Sequence, residues 1–309
     1  MSRLINYKKS INKFIKEKIK SYNISDDIKS TLNDYIEQNN MYISIILLTI
    51  YNNGIKKSGK DINGYHSATG IELLNFLNEF ITSKDKYIKE DVTKFIILII
   101  TIIHNSFLEN LMVVKPISDT NFYFLESLIN ETIANITEEH VIELNENNTT
   151  DMDRVKLNKK NKEKVKNIKT YKKNQLIDYI IGKYGSVIIL AVTIGWILGG
   201  GDVNAKNKKL LKEIAHNLTI IFKIEQDIST LTNDIENSFD SCLNIVFNLG
   251  LIKSFKLYKK NKKEFIKKCM LLNIDSYTIK EILTNLEENI TNFINNSTKI
   301  SLDSTCHSV

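Results

Sequence analysis

One proline, Pro116, stands in 309 residues, and only 11 glycines accompany it. Proline removes a backbone donor and glycine loosens the backbone, so chains built from many tight turns are rich in both. A chain this poor in breakers is expected to run as long helices, which argues against a sandwich or barrel of short strands. Hydrophobic residues make up 42% of the chain, enough for a large core. No segment alternates strongly enough to assert a sheet, and no internal repeat is found. The expected fold class is all-α: one helical domain over residues 1–297, with a disordered tail at 298–309.

Periodicity places the helices. Ile11, Phe14, Ile15 and Ile19 form one apolar stripe. Further helices are expected at 26–52, 66–82, 89–113, 120–144, 174–199, 205–232, 236–260, 261–273 and 276–296. A polar turn covers Gly54 to Gly64, and Pro116 closes the helix at 89–113. That helix is apolar nearly all round and is expected at the centre. The runs Phe95 to Ile103 and Val187 to Leu198 fall short of the roughly 18 to 20 apolar residues of a spanning helix and are read as core.

Charge is local. From Arg154 to Lys173 there are ten Lys or Arg and one acid, Glu163, a net of +9 against +6 for the whole chain. The segment 145–173 is expected to be a flexible basic loop. Such a run is ordinarily solvated, and this one holds a single aromatic, Tyr171. Nucleic acid is therefore not an expected partner, and membrane contact is only weakly suggested. Cys242, Cys269 and Cys306 are odd in number and widely spaced, with no zinc pattern or disulfide framework. They point to a reducing, cytoplasmic setting. The richness in Ile, Asn and Lys is read as nucleotide bias of an AT-rich genome, such as that of a large DNA virus (the setting then being host cytoplasm) or a protist.

Five segments, in order, carry a resemblance. They are the turn Ser58-Gly59-Lys60-Asp61-Ile62-Asn63-Gly64, the helix end Ile103-His104 through Lys115, Glu139 to Leu144, Lys183-Tyr184-Gly185, and Thr219 through Thr230. The spacing of Asn244 and Gly250 follows them. In this order they resemble the trans-isoprenyl diphosphate synthases, over about residues 30 to 297. The resemblance implies an isoprenoid-synthase-like helical bundle around a central cavity. In that family the turn reads Gly-Gly-Lys-Arg-x-Arg-Pro, and Lys60 is its surviving basic residue. The next helix reads Ile-His-x-x-(Ser/Thr)-Leu-x-His-Asp-Asp-x-x-Asp. His104 falls on its first histidine, and Leu111, Met112 and Lys115 fall on its aspartates. The second motif, Gly-x-x-Phe-Gln-x-x-Asp-Asp-x-x-Asp, places Gln226 and Thr230 on two lost aspartates and Asp227 on the one retained.

The family's reaction ionises an allylic diphosphate, whose leaving charge is neutralised by Mg²⁺ held between carboxylates on two facing helices. Mg²⁺ demands hard oxygen ligands in octahedral array; Leu111 and Met112 offer none, and Lys115 repels the ion. The resemblance with these losses implies a non-catalytic homologue, structural or regulatory, with no cofactor. A homodimer, or a heterodimer with an active synthase or other protein, is implied. An active prenyltransferase would need an altered Mg²⁺ site around Asp227. A third expectation is a metal-free pocket for phosphate-bearing ligands, made cationic by Lys60, His104, Lys115, Lys183 and Lys223.

Overall fold

The computed structural model describes residues 3–22, 26–54, 62–82, 89–113, 118–136, 172–231 and 244–306. Among these residues there are eleven helices and no strand. The all-α expectation holds for the same reason it was drawn: apolar residues recur at helical spacing and few breakers interrupt them.

The first helix, α1 (Arg3–Lys20), buries Leu4, Ile11, Ile15 and Ile19 along one stripe. The helix expected at 26–52 is two, α2 (Asp26–Gln38) and α3 (Tyr42–Asn53). Met41 adopts a left-handed conformation (φ 56°), and its N–H donates to the Asn39 side chain at 2.8 Å. Asparagine competes locally for backbone groups in this way, and that breaks the helix.

After α3 come α4 (Ile62–Thr82), α5 (Lys89–Val113), α6 (119–136) and α7 (Lys173–Leu198). Then α8 (Ala205–Ser229), α9 (Ile245–Leu249), α10 (Leu251–Leu271) and α11 (Tyr277–Cys306) complete the bundle. The break expected near residue 260 is absent. It lies at Gly250 (φ 79°), where glycine meets no steric cost, so α10 is continuous. Helix α11 carries on to Cys306, past the boundary expected at residue 297. Most of the basic stretch 145–173 lies outside the described residues.

Close contacts fix the helix directions. Helices α3 and α4 are antiparallel: Ser44 donates to the Ala68 carbonyl at 3.1 Å, while Gly64 abuts Leu48 and Tyr51. Helices α3 and α7 are parallel, because Gly195 meets the Leu47 carbonyl and Gly199 meets Gly54. Helix α8 returns along α7, with Gly185 level with the Thr219 hydroxyl. Helix α5 returns along α4, with Phe107 against Gly70; six connecting residues are too short to reach a parallel start.

The core runs between α3, α4, α7 and α8. Helix α5 does not occupy its centre as expected, since Ile97 is 61% exposed. Helix α7 is long and apolar enough to cross a membrane, with a qualifying stretch longer than the sequence reading allowed. About two thirds of it, 67%, is buried inside the bundle.

Candidate functional site

A cavity of about 420 Å³ opens where the C-terminal half of α4 faces the C-terminal end of α8. The α2–α3 break closes one side, α7 forms the back, and Leu286 of α11 completes the wall. The break contributes Gln38, Asn39 and Asn40, helix α4 contributes Asn75 and Asn78, and α8 contributes Gln226. The polar lining is thus dominated by neutral amides. Tyr42 stacks on Phe222, ring centroids 6.4 Å apart, and burial above all pushes its phenol pKa up.

Three charged groups line the same cavity. Glu72 on α4 is buried, and Glu225 accepts from the Asn289 amide at 2.9 Å. Lys223 lies 5.0 Å from the Tyr184 ring centroid, with its Nζ 2.6 Å from Asp227 Oδ1. Asp227 itself lies beneath the wall and is fully buried. Its second oxygen accepts the Ile245 N–H at 2.6 Å, and its carbonyl accepts from the Asn244 side chain at 2.9 Å. The aspartate therefore ties the end of α8 to the start of α9 and neutralises the cavity's lysine. Among the described residues, no three His, Cys, Asp or Glu side chains converge as a metal site.

Solved structures share this arrangement of helices. A geranyltranstransferase from Methanosarcina mazei superimposes with a TM-score of 0.57 at 13% identity, covering 95% of this chain and 98% of that one. A geranylgeranyl pyrophosphate synthetase from Geoglobus acetivorans gives 0.53 at 13%, covering 94% and 99%. One from Pyrococcus horikoshii gives 0.50 at 16%, covering 95% and 91%. The fold is that of the trans-isoprenyl diphosphate synthases. Neither a protein-family model nor a curated protein matches the sequence.

Within this isoprenyl-synthase fold the expected site residues separate. Lys223, Gln226 and Asp227 do gather at one end of α8. Thr230 follows there, its hydroxyl donating to the Gln226 carbonyl at 3.2 Å. Lys183 is buried about three turns into α7, 5.4 Å from the same Tyr184 ring, and does not line the cavity. His104 does not reach it either, and its neighbour Asn105 donates to the Tyr22 hydroxyl at 3.1 Å.

The larger correction concerns α5. Because α5 runs antiparallel to α4, its last turn, with Leu111 and Met112, lies level with the start of α4. The cavity lies against the other half of α4. The helix that faces α8 across the cavity is therefore α4, not α5. Lys60 and Lys115 fall outside the described residues. The cationic pocket expected from the lysines is not what these residues build, because Asp227 neutralises Lys223 and the other charges on the walls are Glu72 and Glu225.

Sequence reasoning missed Glu72, Asn75, Asn78 and the Asn39-Asn40 break. The asparagine pair was the available signal, since such residues favour turns over helix interiors.

Proposed function

We propose that the chain is a non-catalytic relative of the isoprenyl diphosphate synthases, serving as a structural or regulatory partner subunit. The observation that carries the reading is Asp227. The single aspartate kept on α8 has both carboxylate oxygens engaged inside the fold, by Lys223 and by the Ile245 N–H. A carboxylate so committed is not offered to a cation in the cavity.

The opposing helix supports the same reading. We infer that α4, not α5, corresponds to the family helix with the first aspartates. Laid on α4, the pattern Ile-His-x-x-(Ser/Thr)-Leu-x-His-Asp-Asp-x-x-Asp runs from Leu74-Asn75 to Lys86. Its aspartates fall on Thr82, Ser83 and Lys86, and its histidines on Asn75 and Ile81. By the same order, the basic turn before the preceding helix falls on Gln38 to Met41, which holds no basic residue. Either register loses all three first-motif aspartates. Among the described residues no three His, Cys, Asp or Glu side chains converge, so the clustered carboxylates that hold Mg²⁺ in the family have no counterpart there.

Partnership is the remaining part of the reading. Helices α5 and α6 leave Ile97 and Tyr123 61% and 67% exposed, large apolar side chains that a second subunit would cover. The test is diphosphate release from an allylic diphosphate and isopentenyl diphosphate in Mg²⁺. The expected rate equals that of a heat-killed control; product well above it would overturn the reading.

A further inference from the structure

Helix α10 sorts its charges in a way the cavity does not explain. It holds eight lysines and one glutamate, a net of +7 in a chain of +6. Lys262 pairs with Glu287, and Lys268 lies 3.5 Å from Glu213 and 3.8 Å from Glu264. The other six, Lys253, Lys256, Lys259, Lys260, Lys263 and Lys267, are exposed. None of the six has an ion-pair partner among the described residues.

Three large apolar residues share that exposure. Ile252 is 74% exposed at one end of the helix, and Met270 and Leu271 are 51% and 63% exposed at the other. At 100° per residue these nine side chains fall within an arc of about 120°, and the arc is about 29 Å long. No acidic residue lies inside it. Ser254, Tyr258, Phe265 and Cys269, buried on the opposite side, fix which way the arc faces.

We propose that this face of α10 docks flat on an anionic lipid bilayer. The lysines would meet headgroup phosphates and carboxylates, and the apolar side chains at both ends would enter the headgroup boundary. An amphipathic helix whose cations and exposed apolar residues share one arc has this chemistry. Nucleic acid is less well served, because the arc carries no aromatic side chain on which a base could stack.

The test uses the full chain, sedimented with phosphatidylcholine vesicles with and without phosphatidylserine. Binding is expected only with phosphatidylserine and is expected to weaken as salt rises. Each lysine near the surface is worth about a fivefold change in partitioning, so K256Q/K260Q/K263Q/K267Q should lower it by roughly two to three orders of magnitude. These positions are exposed, so helical circular dichroism should be retained; if it is not, K256Q and K263Q alone should each cost about fivefold. I252S/L271S should weaken binding at a salt concentration where the lysines are screened. Unchanged partitioning of folded lysine variants would overturn the proposal, as would salt-sensitive binding to single-stranded RNA without vesicle binding.

Discussion

At Asp227, one carboxylate holds a lysine and a backbone N–H in a place water does not reach. Asp227→Ala would strand both, and removing one member of a buried pair costs roughly 3–5 kcal/mol. Urea unfolding should show that loss; a change under about 1 kcal/mol would contradict the role given to the pair. Cys269 is buried, and burial first of all pushes its thiol up to about 12. Only the thiolate is a nucleophile, so the peptide containing Cys269 should stay unlabelled by a thiol reagent in the folded chain and label on denaturation. His216 has its pKa lowered from 6.5, by burial first and then by Lys212. The unfolded chain therefore binds the proton more readily. The stability contributed by neutral His216 is complete above about 6.5 and lost as pH falls through its lowered folded value. His216→Gln should flatten the fall in stability between neutral and mildly acid pH, measured as Tm against pH.

Two glycines of α7 differ in what surrounds them. A Cβ on Gly195 would lie 2.7 Å from the Leu47 carbonyl oxygen, so Gly195→Ala must push α3 and α7 apart. Overpacking of this kind costs about 1–3 kcal/mol. A Cβ on Gly182 would meet nothing within 4 Å, and Gly182→Ala should stabilise the helix by about 0.5–1 kcal/mol. Paired thermal melts check both signs. Helix existence was legible in the sequence because apolar spacing survives substitution. Breaks were less so: the one at Asn39–Met41 rests on a single left-handed residue and a local side-chain hydrogen bond, which periodicity does not register. The exposed stripe of α10 was obscured for a related reason, since the chain was divided at residue 260 and the helix runs straight through.

For the molecule as a whole, the order of segments was enough to reach the isoprenyl-synthase fold, and it was not enough to place the site. Ile103-His104 matched the family's spacing, but the direction of α5 carries its last turn away from α8. Direction is a tertiary property, set by which helices can reach each other through short connections, and a motif on the wrong neighbouring helix looks the same in one dimension. Lys223 misled in a similar way: a cation in sequence is a neutralised pair once its partner four residues on is buried beneath it. What remains at the cavity is a ring of amides, tyrosines and two glutamates. The direct measurement is a calorimetric titration of inorganic diphosphate into the full chain, with and without Mg²⁺. No heat of binding at millimolar ligand in either condition is the expected result, and Mg²⁺-dependent binding in the micromolar range would contradict it.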